Sequence, residues 1–334
     1  MEEIIKVNTM RKIDYSQITS SVLDEYVRKF DIKTMQPVWT RLRQELVKKS
    51  SSSCANLIYP DEIETILRGS YASLCTIYED YMSVADSLSF TLVDELKDLF
   101  NYSGRPTRYC KVMQPKIADF FMENAEKMEI HVCFYCETSY VNVYAMKSAT
   151  GKSINRNHFD LDHFLPKSEC PIVGLSFYNF VPSCSVCNEK LKRNKLIGGL
   201  GNLHASPTSG TYEFDKDVKI KFTENGNELL EHINHPEKVK ISFLPEKNIY
   251  ADEIRELRYE DRYNYHKMEA IRLFNIVGDY PDSMLEDIAT LFGSRKTKDE
   301  VENDILYGGH KSDQYPRVFD KLRRDIINQR KGKI

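Results

Sequence analysis

Two C-x-x-C pairs, Cys133/Cys136 and Cys184/Cys187, constrain this chain more than any other feature. Their internal spacing is identical, and 47 residues separate them. A C-x-x-C turn presents two sulfurs to one metal ion, and zinc takes four thiolates in a tetrahedron. Unrelated buried cysteines or a redox pair are the plainer alternatives, and two matched pairs flanking one module disfavour both. A site of four cysteines leaves no open coordination position, so its expected task is folding the module. The other four cysteines, Cys54, Cys75, Cys110 and Cys170, are scattered and read as buried free thiols.

Cysteine pairs mean different things in different compartments. The start, Met1 to Val7, has no signal-peptide profile. No apolar run approaches the roughly 20 residues that cross a bilayer. A cytoplasmic, reducing location with no membrane partner is therefore expected, where paired cysteines point to metal rather than disulfides. A hydrophobic content of 41% with 29% charged residues is that of an ordinary globular protein. At 334 residues, two or three domains are expected. The net charge of −3 rules out a histone-like polycation, yet leaves a nucleic-acid substrate open if basic residues cluster locally.

Along the chain, residues 1–125 read as a helical N-terminal domain. Helical spacing runs through Val22–Phe30, and Pro37 is placed as a helix start before Val38–Val47. Ser50–Ser53 is a break. Further helices are expected near Asp61–Leu67, Leu88–Phe100 and Ile117–Met128. Residues 126–200 form a different module. Strands are expected at Ile130–Tyr135, Tyr140–Ala145 and Phe159–Leu165, with a polar loop from Ser148 to Asn157 and a basic helix from Glu189. Residues 198–213, rich in Gly, Ser and Thr, read as a linker. Residues 201–334 read as a mixed, mostly helical C-terminal domain. It has strands at Val218–Phe222 and Val239–Phe243, a long helix through Tyr259–Met268 and another opened by Pro281. The last stretch, Lys321 to Ile334, sets six Lys/Arg against Asp325 and reads as a solvated tail rather than a phosphate contact. The predicted class is α+β: a mainly helical protein around a central module stapled by four cysteines.

Inside that module lie the residues that phosphodiester hydrolysis requires. Such a reaction needs a base for water, a hard cation for phosphate charge and something to hold the base. His163 is the candidate base, since its ordinary pKa lies near neutrality. Asp162 and Asn188 offer oxygens suited to Mg²⁺ or Mn²⁺. Asn179 can fix a loop or orient the histidine ring. Taken alone, His163 would more often be an ordinary polar histidine. Asp160 shares a strand face with Asp162 and reads as a solvated charge. His158 reads as a loop residue and His131 as structural. Lys167, Lys190, Lys192, Arg193 and Lys195 are candidate phosphate-backbone contacts. Residues 126–200 hold nine Lys/Arg against seven Asp/Glu, so the module is more basic than the chain.

Asp162-His163 in an apolar strand, Asn179 before the second pair, and Asn188 directly after Cys187 together resemble the HNH endonuclease motif. The resemblance covers about 65 residues, Cys133 to Ile197, and implies a ββα-metal (HNH) fold with a structural four-cysteine zinc. It implies His163 as general base, Asp162 and Asn188 as ligands of a catalytic Mg²⁺ or Mn²⁺, and Asn179 as structural. The third motif position is often His; here it is Asn188, as in the HNH domain of RNA-guided CRISPR nucleases. More loosely, the strings around Cys136, His163 and Cys184 are similar to HNH effectors of Septu-type bacterial antiphage systems, which work beside an ATPase partner. The expected function is thus a metal-dependent endonuclease with nucleic acid as partner, DNA preferred to RNA, serving antiviral defence. Alternatives are an RNA- or tRNA-directed nuclease, and a catalytically silent zinc-stabilised nucleic-acid-binding or scaffold module. The large flanks suggest regulation by another protein or by self-association as a homo-oligomer.

Overall fold

The computed structural model describes residues 12–147, 150–151, 153–228, 233, 235–307 and 317–332. Met1–Val7 and Lys333 lie outside them. The chain divides into two compact units. One comprises Lys12–Tyr135 and Val141–Tyr212; the other comprises Cys136–Tyr140 and the chain from Glu213 on. The fold is mixed helix and sheet, as the α+β expectation requires.

The first unit opens with helices α1 (Ser20–Val27), α2 (Ile32–Lys49), α3 (Ala55–Ile58), α4 (Ile63–Leu67), α5 (Tyr71–Val84), α6 (Phe90–Leu99) and α7 (Gln114–Glu123). Their apolar stripes meet over Tyr26, Trp39, Leu42, Leu46, Ile66 and Leu74, all fully buried. Pro37 lies inside α2 rather than at its start. The start is set earlier by Asp31, whose carboxylate accepts from the Thr34 amide at 3.4 Å. Helix α5 lies outside the expected helices; Ser70 caps it by accepting from the Ser73 amide at 3.2 Å.

Four short strands follow. β1 (Val143–Lys147) and β2 (Ser153–Asn157) form an antiparallel ribbon. The expected strand over Tyr140–Ala145 therefore sits later, and β2 occupies much of the expected loop; residues 148, 149 and 152 of that loop lie outside the described residues. Ile130–Tyr135 is no strand, because the chain turns through the first cysteine pair instead. β3 (Asp160–His163) pairs antiparallel with β4 (Phe180–Ser183), with Asp162 opposite Val181 and His163 opposite Phe180. A π-helical segment, Val186–Lys192, comes next; the Arg193 amide bonds the Asn188 carbonyl at 2.7 Å, a five-residue step. The expected linker at 198–213 is largely packed. Tyr71 donates its hydroxyl to the Leu203 carbonyl at 2.6 Å, and Ala205 to Ser209 are buried. The boundary between the units falls at its end, after Tyr212.

The second unit holds α8 (Phe214–Asp217), β5 (Val218–Glu224), β6 (Asn227–Glu228), β7 (Val239–Pro245), α9 (Ala251–Glu256), α10 (Tyr259–Tyr265), α11 (Lys267–Asp279), α12 (Asp282–Phe292), α13 (Lys298–Leu306) and α14 (Asp320–Arg330). The expected long helix through Tyr259–Met268 is broken at His266. The sheet has the order β6-β5-β7, with β5 and β7 paired along their length. Its two long edges are closed by helix side chains spaced four residues apart. From α14, Asp325 accepts the Ile220 amide at 2.8 Å; Gln329 accepts the Phe222 amide at 2.9 Å and donates to the Phe222 carbonyl at 2.7 Å. From α10, Glu260 accepts the Phe243 amide at 3.0 Å, and Asn264 bonds both polar groups of Ile241. A strand repeats every second residue and a helix face every fourth, so the two periods stay in step along β5 and β7.

The C-terminal stretch is therefore no solvated tail. Leu322, Ile326 and Ile327 are buried, and Lys321 is buried in an ion pair with Asp325 at 3.0 Å. Gln329→Ala is expected to leave both buried polar groups of Phe222 unpaired, a cost of about 2 kcal/mol. Hydrogen exchange at the Phe222 amide should then accelerate well before exchange in the first unit changes. No helix among the described residues is long and apolar enough to cross a membrane.

Candidate functional site

A cavity of about 650 Å³ opens in the first unit, and the Asp-His pair lies in its wall. It is lined by Asp160, Asp162 and His163 from β3, by Asn188, Arg193 and Asn194 from the π-helical segment and its end, and by Lys167. Tyr102, Ser103, Gln114 and Ala118 line it as well. The N-terminal helical segment, expected as a domain apart from the central module, thus builds one wall.

His163 is buried. Its Nε2 lies 2.9 Å from the Gly174 carbonyl, which can only accept, so the proton sits on Nε2 and Nδ1 carries the free lone pair. Tyr102 and Phe180 pack edge-on against the ring at 4.6 and 4.7 Å between centroids. Burial holds its pKa well below the usual 6.5, and the Lys167 ammonium pushes the same way. The imidazole is therefore neutral at physiological pH, the state a base requires.

Asn179 ties together the backbone of two neighbouring turns. Fully buried, its side chain accepts from the Leu165 amide at 2.8 Å and donates to the Leu165 and Val173 carbonyls at 3.0 Å each. Val173 precedes Gly174, so Asn179 fixes the turn whose carbonyl orients His163.

Asp162 is also buried, and its charge is answered inside the protein. Tyr135 donates its hydroxyl to Oδ2 at 2.6 Å. The Lys192 ammonium lies 3.0 Å from Oδ2 and 3.2 Å from Oδ1, and donates to the His163 carbonyl at 2.7 Å. Lys192 was expected at the surface as a phosphate contact. Instead its side chain is wholly buried, so it leaves the set of accessible cations. Asp160, expected as a solvated charge, stands at the cavity wall with a buried Oδ2 that has no hydrogen-bond partner. Of the other basic candidates, Lys167 is half-buried in the cavity, with its ammonium 5.4 Å from the Tyr102 ring centre. Arg193 is exposed at the cavity, whereas Lys190 and Lys195 are exposed outside its lining. His158 is an exposed loop residue and His131 is half-buried.

The four paired cysteines converge. Cys133, Cys136, Cys184 and Cys187 are buried, with all four sulfurs within 4.8 Å of one another. Four sulfurs about 2.3 Å from a zinc ion would be roughly 3.8 Å apart, so the cluster could hold a metal such as zinc. The Cys184 amide points at the Cys133 sulfur at 3.3 Å, a donor suited to a thiolate. Among the remaining cysteines, Cys75, Cys110 and Cys170 are buried and Cys54 is exposed.

Tyr135, Tyr102 and Gly174 were not foreseen as site residues. Tyr135 could have been noticed as an inner residue of the first cysteine turn; Tyr102 and Gly174 carry no local signal. Comparison with known proteins finds no matching family model, no matching curated protein and no matching solved structure.

Proposed function

We propose that the cavity is the centre of an HNH-type, metal-dependent endonuclease, with a structural zinc on Cys133, Cys136, Cys184 and Cys187. One observation carries this: a neutral histidine with a free Nδ1 shares a cavity with the carboxylates of Asp160, Asp162 and Glu189, the side-chain amide of Asn188, and the basic Lys167 and Arg193. Phosphodiester hydrolysis calls on a base for water, oxygen ligands for a cation and basic side chains for the phosphate backbone, and this wall offers each.

Asp162 and Asn188 would hold a hard divalent cation, and the unpartnered oxygen of Asp160 fits the same donor chemistry. Bound Mg²⁺ or Mn²⁺ would supply charge neutralisation at the scissile phosphate. His163 takes the proton of the attacking water on Nδ1 while Gly174 keeps Nε2 occupied. Asn179 holds the turn that aims the ring. Lys167 and Arg193 meet the nucleic-acid backbone, with DNA the preferred substrate. An ATPase partner belongs to the same reading, by resemblance to defence effectors.

The test is a cleavage assay on plasmid, linear duplex, single-stranded DNA and total tRNA, with Mg²⁺ or Mn²⁺ and with EDTA. His163→Ala is expected to lower cleavage by about 10²–10⁴-fold, with zinc content and folding retained. Undiminished cleavage by that variant sinks the mechanism.

A further inference from the structure

Beside the cavity stands an element that no part of this chemistry uses, the β1–β2 ribbon. Of its ten residues, seven are exposed and none is buried. A two-stranded ribbon has little stability of its own, so one exposed on both faces has no core to serve. Its composition points outward as well. Between Glu137 and Asp160 the sequence contains no Asp or Glu, while Lys147, Lys152 and Arg156 fall in the same stretch of an otherwise acidic chain. Neither Lys147 nor Arg156 has an acidic partner among the described residues.

The register sorts the side chains. Tyr144 opposite Arg156 and Met146 opposite Ile154 share one face. Val143 opposite Asn157, Ala145 opposite Asn155 and Lys147 opposite Ser153 share the other. On that second face the β2 side is a polar track beside Val143 and Ala145. It begins at Asn157, which lines the cavity, and runs out through Asn155 to Ser153 and Lys147. On the first face Tyr144 and Met146 are 39% and 43% exposed beside Arg156. Five paired residues reach about 17 Å, with strands about 4.8 Å apart. A ribbon of that width enters the major groove of duplex DNA, which is about 12 Å wide.

We propose that the β1–β2 ribbon is a duplex-DNA-binding arm, with Lys147 and Arg156 on the phosphates and Asn155 and Asn157 leading the strand into the cavity. The assignment rests on the nuclease reading of that cavity. An acid-free, amide-rich surface joined to the cavity selects a polyanion over an ordinary protein partner.

The experiment uses the full chain carrying His163→Ala, so that substrate survives, and a fluorescent duplex followed by anisotropy across a salt series. Adding Lys147→Glu and Arg156→Glu is expected to weaken binding at least tenfold. It should also flatten the slope of log affinity against log salt by about 1.8, the loss of two phosphate contacts. Unchanged zinc content and Trp39 fluorescence would show that the fold persists. Equal affinity and slope in the two proteins overturns the arm, as does tighter binding to single strands than to duplex, or no duplex binding by the His163→Ala protein. Cleavage by the unmutated chain is read separately. Cleavage with an unaltered salt slope removes the arm and keeps the centre; salt-sensitive binding through the ribbon without cleavage removes the centre and keeps the arm.

Discussion

Replacing Cys184 with alanine is expected to abolish zinc retention, loosen the surroundings of the cavity and eliminate cleavage together. Three sulfurs cannot complete a tetrahedral site of four thiolates. A structural zinc contributes on the order of 10 kcal/mol, comparable with the 5–15 kcal/mol that typically holds a whole domain (about 0.1 kcal/mol per residue). The cluster also reaches the proposed chemistry through two short paths, one through a hydrogen bond and one along the backbone. Tyr135, inside the first cysteine turn, donates to Asp162 at 2.6 Å. Asn188 follows Cys187 directly. A metal that never touches substrate would thus fix one ligand through a hydroxyl and place the other along the backbone. Zinc per chain is measured by elemental analysis, and unfolding by the fluorescence of Trp39, the chain's single tryptophan and fully buried in the first unit. Tyr135→Phe separates the two effects: zinc and folding stay, while cleavage falls. A wild-type protein free of zinc, or a Cys184→Ala chain that keeps it, overturns the assignment.

What could be read in the sequence was what a few neighbouring residues decide. The two cysteine turns and the Asp162-His163 strand follow from spacing, because a C-x-x-C turn and a strand period are local geometry. The alternation in Val218–Phe222 and Val239–Phe243 gave the paired strands of the second unit for the same reason. What failed was decided by distant partners. Lys192 looks like any lysine on a basic helix; only Asp162, thirty residues earlier, makes it a buried counter-ion. Lys321 misled in the same way, since its ammonium donates to the Asp215 carbonyl at 2.9 Å, 106 residues earlier in the chain. There the sequence held an overlooked clue. Leu322 with Ile326, and Asp325 with Gln329, are each four residues apart, the pattern of a helix with one apolar and one hydrogen-bonding stripe. Tyr102 had no clue at all, because its place against His163 depends on how a helical segment folds back over β3 and β4.

Lys192→Met is expected to destabilise the first unit by about 3–5 kcal/mol, the penalty for a buried charge stripped of its partner. An exposed pair would cost under about 1 kcal/mol, so the size of the effect decides between the two environments. The side chains of Lys192 and Asp162 are 0% and 3% exposed, which places the pair firmly in the first class. Tyr135 remains as a donor to Asp162 in the variant, yet one neutral hydroxyl cannot replace an ammonium that touches both oxygens. The ammonium also holds the His163 carbonyl, so its loss frees the strand at the two residues the proposed chemistry needs. Denaturant unfolding followed by Trp39 reports on this unit alone, since no other tryptophan contributes. The double variant Lys192→Met with Asp162→Asn should recover most of the lost stability, because the stranded charge is gone, while cleavage stays absent. A single variant within about 1 kcal/mol of the parent would show that Asp162 finds solvent or another cation, and would remove Lys192 from the architecture of the site.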